Sequence, residues 1–285
     1  MQMEGRLLIC CQDQRGIVSA VSAFLFEQGA NITHSDQHST DPEGGLFFMR
    51  IAFHLEGLAD KWHDLTEKFL PIAESFKMEW KITTPANRKR VAIFVSKEDH
   101  CLQDLLYRWQ TGELDADIPL VISNHTDMEE LVTSLGIPYH HIPVVKGQKE
   151  EATRQHLELL EKERIDSVIL ARYMQIIPGE FIEKYQNQMI NIHHSFLPAF
   201  VGGNPYSQAY QRGVKIIGAT AHYVTEELDQ GPIIEQDVER VDHRLHIPDL
   251  KNVGRDIERM VLARAVKWHL DDKILVYGNK TVVFR

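Results

Sequence analysis

Residues 91–123, VAIFVSKEDHCLQDLLYRWQTGELDADIPLVIS, decide the architecture of most of the chain. The run 91–96 is apolar at every position up to its final serine, as a strand covered on both faces requires. Positions 102–109 carry apolar residues at helical spacing, and 118–123 (IPLVIS) is a second buried strand. The same alternation continues with a helix over 128–135, a charged helix over 148–164 and a strand at 167–170 (SVIL). Strands that alternate with helices imply βαβ units, a parallel sheet, and a ligand held at the carboxyl ends of its strands.

Before this region the pattern is different. Pro85, Ala86 and Asn87, with the basic residues 88–90, read as a linker. Upstream, 5–11 reads as a buried strand, 17–28 as a helix closed by Gly29 in the C′ position, and 30–40 and 46–55 as strands joined by a DPEGG turn. A helix over 62–76 and a strand over 78–83 complete a βαββαβ order, which implies one antiparallel sheet backed by two helices. The expected class is α/β: a ferredoxin-like α+β domain at 1–84, a linker at 85–90, and a mostly parallel-sheet, Rossmann-like domain at 91–285.

The chain has 285 residues, 43% of them hydrophobic, enough for two cores. Lys and Arg number 31 against 41 Asp and Glu, for a net charge of −10. Bulk attraction to nucleic acid or an anionic membrane is therefore not expected. No apolar run approaches the roughly 20 residues that span a bilayer, and the start, MQMEGRLLICCQDQ, lacks the pattern of a signal peptide. Three cysteines, Cys10, Cys11 and Cys101, make neither a disulfide framework nor a zinc site, so the cytoplasm is the expected compartment.

Two stretches carry chemistry. In 189–203, MINIHHSFLPAFVGG, strand alternation puts Asn191, His193 and Ser195 on one face and His194 on the other. In 219–236, ATAHYVTEELDQGPIIEQ, two strand-like runs flank a polar loop that carries Asp229. These motifs at this spacing resemble the folate-dependent formyltransferase family over roughly 90–285. The resemblance implies catalytic Asn191, His193 and Asp229, and folate contacts on 170–177 and 224–229, namely Met174, Gln175, Ile176, Ile177, Val224 and Glu227. The first 84 residues, with DQRGIVS after the first strand and GANI at the second, resemble an ACT domain. Together with the ending VYGNKTVVF, the combination is similar to the formyltetrahydrofolate deformylases. That resemblance implies hydrolysis of 10-formyltetrahydrofolate to formate and tetrahydrofolate, with formate supplied to purine synthesis. It implies no cofactor and no metal, and a homo-oligomer, dimer or tetramer. It also implies an amino-acid effector such as glycine or methionine, held between paired ACT domains at Asp13, Gly16, Ala30, Asn31 and Ile32.

The residues suit that chemistry. Attack on a formyl carbon creates an oxyanion, which the Asn191 amide and a protonated His193 can stabilise. Imidazole can take a proton from water and return it to the leaving nitrogen, with Asp229 holding its tautomer. Relatives that formylate a ribonucleotide amine carry a Gly-rich phosphate loop after the first strand of this domain. Here the place reads SKEDHC (96–101), with no glycine and two adjacent carboxylates, which favours hydrolysis over transfer. Where some relatives have Lys after Phe200, this chain has Val201. Transfer to a small amine, or a non-catalytic amino-acid or folate sensor, are the alternatives.

Plainer readings stand beside several residues. Ser195 is a supporting donor to His193 or Asn191, and His222 is either a core histidine or a substrate contact. Met174, Ile176 and Ile177 fit an ordinary core. Asp13 fits a helix cap, and the charges of 150–164 fit a solvated helix face. His193, His222 and Asp229 would make a His₂Asp zinc set, but no HExxH-type pair accompanies them.

Overall fold

The computed structural model describes residues 4–41, 43–145, 147, 149–199 and 204–285. Val201, Pro42 of the predicted turn and Gln148 at the predicted helix start lie outside the described residues. Two compact units are present. One comprises residues 1–88, 271–277 and 282–285, and the other 89–270 and 278–281.

The first unit runs β1 (Glu4–Gln12), α1 (Ile17–Glu27), β2 (Asn31–Ser39), β3 (Leu46–His54), α2 (Leu58–Phe76) and β4 (Glu79–Thr83). Its sheet has the order β2-β3-β1-β4, with all neighbours antiparallel. Leu7 and Ile9 of β1 and Met49, Ile51 and Phe53 of β3 alternate onto one face, where Val21, Phe24, Leu25, Leu65 and Phe69 of the helices complete the core. β3 is buried on its other face too. There Arg50 donates to the carbonyls of Asp272 (2.9 Å) and Asp271 (3.0 Å), and the Phe48 ring lies 4.8 Å from that of Tyr277. Residues 271–277 and 282–285, placed in the second domain by the sequence reading, thus belong to the first unit. Asp13 is not a helix cap. Gly16, left-handed at φ 97°, occupies the N-cap of α1 without a side-chain bond, and the Asp13 carboxylate accepts from Ser39 Oγ instead. Gly29, at φ 77°, follows the C-cap Gln28 as expected.

The second unit runs β5 (Lys89–Val95), α3 (His100–Gln110), β6 (Ala116–Ser123), α4 (Glu129–Ser134), β7 (Tyr139–His141), α5 (Lys149–Lys162), β8 (Ser167–Ala171), α6 (Gly179–Lys184), β9 (Met189–His193), α7 (Pro205–Arg212), β10 (Ile216–Tyr223), β11 (Ile233–Arg240) and α8 (Ile247–Leu270). A C-terminal hairpin, β12 (Ile274–Tyr277) and β13 (Lys280–Val283), follows. The seven-stranded sheet has the order β11-β10-β9-β8-β5-β6-β7. Strands β5 to β9 are mutually parallel; β10 runs against them, and the edge strand β11, antiparallel to β10, runs with them again. On one face Ala92, Phe94, Ile122, Leu160, Leu170 and Phe181 form a core, and on the other α8 lies along β9, β10 and β11. Among the described residues no helix is long and apolar enough to cross a membrane.

Candidate active site

The reversal of strand direction between β9 and β10 builds the site. Their antiparallel register sets His222 opposite Asn191 and Thr220 opposite His193. His222 Nδ1 lies 2.9 Å from the Tyr223 carbonyl, which can only accept, so that nitrogen carries a hydrogen. In the neutral ring Nε2 is then an acceptor, and it lies 3.3 Å from Asn191 Nδ2. The Asn191 amide therefore gives one hydrogen to His222 and keeps a second for a ligand.

Asp229 reaches the same point from the loop after β10. It sits at φ 58°, a left-handed conformation that Asp tolerates better than most side chains. The next turn is held close, since a Cβ on Gly231 would come within 1.8 Å of the Tyr223 carbonyl oxygen. Asp229 Oδ2 lies 3.2 Å from His193 Nδ1, and Oδ1 lies 3.7 Å from His222 Nε2. Burial alone would raise the Asp229 pKa, but the hydrogen bond from His193, with the two imidazoles beside it, holds it well below the usual carboxylate range. The carboxylate fixes the hydrogen of His193 on Nδ1. His193 Nε2 is buried and without a hydrogen-bond partner among the described residues, a base with its lone pair unspent.

Alternation along β9 stops at His193, where the strand ends. Two expectations built on that alternation fail for this reason. Ser195 does not share the face of Asn191 and His193; it is buried and donates to the Ala199 carbonyl at 2.8 Å. His194 does not turn away, because its ring lies 5.2 Å from that of His193 and lines the same pocket. Burial, and next the charge of Arg172, lower the His194 pKa to about 4, so it is neutral at physiological pH. The turn is secured by Thr220, a residue the sequence reading passed over. Its hydroxyl donates to the Ser195 carbonyl (2.9 Å) and accepts from the Leu197 N–H (3.1 Å) and from Gln236 Nε2 (2.9 Å).

Asn191, His193, His222 and Asp229 form one end of a pocket of about 260 Å³. Its walls are mainly apolar, from Leu170, Tyr173, Ile177 and Val224. Met174, Gln175 and Ile176 line it as expected. Met174 is 56% exposed and Ile176 68%, so these two are an apolar lip and not core. Ile177 is buried and belongs to both core and pocket. Glu227 is exposed and not among the lining residues; its neighbours Glu226 and Leu228 take that place, while the Glu227 carbonyl closes the loop by accepting from Thr225 and Gln230.

The segment 96–101 is tied down. Ser96 Oγ accepts from the Met174 N–H (3.0 Å) and donates to Asn124 (2.7 Å), Glu98 pairs with Arg255 (2.7 Å), and His100 Nε2 lies 2.7 Å from Glu258. His100, Cys101 and Glu258 are close enough to be considered as metal ligands. Burial, and next the Glu258 charge, push the Cys101 thiol well above its ordinary range. In the first unit the proposed effector residues do not converge. Asp13 and Gly16 follow the end of β1 beside Leu46, whereas Ala30, Asn31 and Ile32 open β2 beside His54, at the other end of β3.

Residues 89–266 match the formyl transferase family, and residues 5–60 the ACT domain family. A formyltetrahydrofolate deformylase of Bacillus subtilis (strain 168) is 59% identical over 281 residues, which covers 99% of this chain and 94% of that one. The crystal structure of a formyltetrahydrofolate deformylase from Pseudomonas syringae pv. tomato superposes with a TM-score of 0.95 at 51% identity, covering 100% of this chain and 95% of that one. A phosphoribosylglycinamide formyltransferase from Anaplasma phagocytophilum reaches a TM-score of 0.63 at 31% identity and covers only 69% of this chain, though 95% of its own length.

Proposed function

Because this chain belongs to the formyltetrahydrofolate deformylase family, we propose that it hydrolyses 10-formyltetrahydrofolate at the pocket closed by Asn191, His193 and Asp229. The observation that carries this reading is the Asp229–His193 pair, which leaves one bare imidazole nitrogen beside a free amide hydrogen at the end of an apolar pocket. The apolar walls suit the flat heteroaromatic part of a folate, with Met174 and Ile176 as the lip. His193 Nε2 takes a proton from water as the oxygen attacks the formyl carbon. The oxyanion accepts the second Asn191 hydrogen, and Asp229 balances the imidazolium. His193 then returns the proton to the leaving nitrogen, the C–N bond breaks, and formate departs as its anion with one proton released to solvent. The pinned 96–101 segment, with no glycine cradle, supports water as the acceptor over an amine.

The same reading places the enzyme in the cytoplasm, supplying formate to purine synthesis. The first unit, as an ACT domain, supports pairing into a dimer or tetramer with glycine or methionine as effector. Asp13 and Asn31 lie at opposite ends of the sheet, so such a site would draw on one of these ends, not both, within a chain. Incubation with 10-formyltetrahydrofolate and no amine tests the function: formate and tetrahydrofolate appear in equal amounts, and tetrahydrofolate release that requires an added amine, with the formyl group recovered on it, contradicts it.

A further inference from the structure

A second cavity, of about 240 Å³, adjoins the first pocket. Arg172, Met174 and His194 line both, so the two share a wall. The second cavity carries more charged side chains. Arg172, Lys251 and Arg255 face it with Glu98 and Glu258, three cations against two carboxylates, while His100 and Tyr206 complete its inner end.

Arg172 is the unusual residue there. It follows β8 in a left-handed conformation, φ 61°. Its side chain is 11% exposed. Nε lies 3.3 Å from Glu258 Oε2 without the geometry of a hydrogen bond, and both Nε and Nη1 are buried without a hydrogen-bond partner among the described residues. Glu258 is already engaged, by His100 Nε2 at 2.7 Å and the Tyr206 hydroxyl at 2.5 Å. A buried guanidinium with open donors is costly unless something fills them. Nε faces Glu258, so Nη1 is the donor left for a small anion, through a charge-assisted hydrogen bond to one of its oxygens.

Hydrolysis makes one carboxylate at the shared wall. We propose that Arg172 binds the departing formate and draws it into the second cavity, so that the folate product and the one-carbon product leave the reacting carbon in different directions. This rests on the deformylase reading, which supplies the formate. Neutral His194 stands between the two cavities as a side chain that formate passes without meeting a fixed charge.

The test is direct binding of formate to the full-length enzyme, with tetrahydrofolate present, followed by saturation transfer to the formate C–H proton. Saturable binding in the wild type, weakened at least about tenfold in Arg172→Met, is expected for the loss of a charge-assisted hydrogen bond. Arg172→Lys keeps a cation beside Glu258 and loses the Nη1 donor; should the Met variant fail to fold, a clear weakening in the Lys variant carries the same weight. Formate binding that is absent in the wild type, or unchanged in every folded variant, overturns the proposal. So does displacement of formate by an equal concentration of phosphate, which would make the cavity a general anion site. Because binding is read without turnover, an enzyme that binds formate through Arg172 but releases none from 10-formyltetrahydrofolate contradicts the deformylase reading alone.

Discussion

Asp229→Asn keeps the shape of the side chain and removes its charge. At 3.2 Å from His193 Nδ1, a unit charge opposite the imidazolium of the transition state is worth at most about 5 kcal/mol at an effective dielectric constant of about 20. The Asn oxygen can still accept from Nδ1, which retains about 1 kcal/mol of that interaction. The rest is about 3–4 kcal/mol, or roughly 10²- to 10³-fold in kcat. Folate binding depends on the apolar walls and is expected to hold, so KM should change little. Initial rates of formate release across substrate concentrations separate the two parameters. A fall in kcat of less than about tenfold would refute the role given to the carboxylate, and a rise in KM with unchanged kcat would make Asp229 a binding residue.

Two further expectations concern the frame around the site. Burial lowers the pKa of His156 to about 4, with its ring packed against Phe94 and Tyr173. The unfolded chain takes up a proton near pH 6.5 that the fold refuses, so stability is full above pH 6.5 and falls as the pH drops to about 4. His156→Leu should remove about 3 kcal/mol of that pH-dependent loss, read as the difference in urea unfolding free energy between pH 6.5 and 4; an unchanged difference would show that the buried imidazole is not responsible. Gly231→Ala sets a methyl against the backbone oxygen of Tyr223, so the Asp229 loop must shift; stability should fall by about 1–3 kcal/mol and kcat with it, and wild-type values for both in thermal unfolding and steady-state assays would contradict the close packing.

Much of the fold could be read from periodicity. The runs VAIFVS and IPLVIS declare doubly covered strands, and they pair as β5 and β6, both interior strands of the sheet. Asn191, His193 and Asp229 were legible because strand spacing and a paired loop motif survive in one dimension. The limits are equally physical. Alternation predicts facing only while the strand lasts, so Ser195 and His194, just past its end, were misplaced. The direction of β10 against β9 is a long-range matter, and with it the contact of His222 with Asn191. Arg172, His100, Tyr206 and Glu258 come from four separated segments, and no local pattern links them. The return of residues 271–277 to the first unit rests on the carbonyls that receive Arg50, which no side-chain pattern records.

The central claim is that water is the acceptor of the formyl group, and isotope transfer tests it most directly. With no amine present, reaction in ¹⁸O-water should give formate bearing one solvent oxygen per turnover, matched one to one by tetrahydrofolate and abolished by His193→Ala. Formate without solvent oxygen, or turnover only when an amine is supplied and with the formyl group recovered on it, would contradict the account.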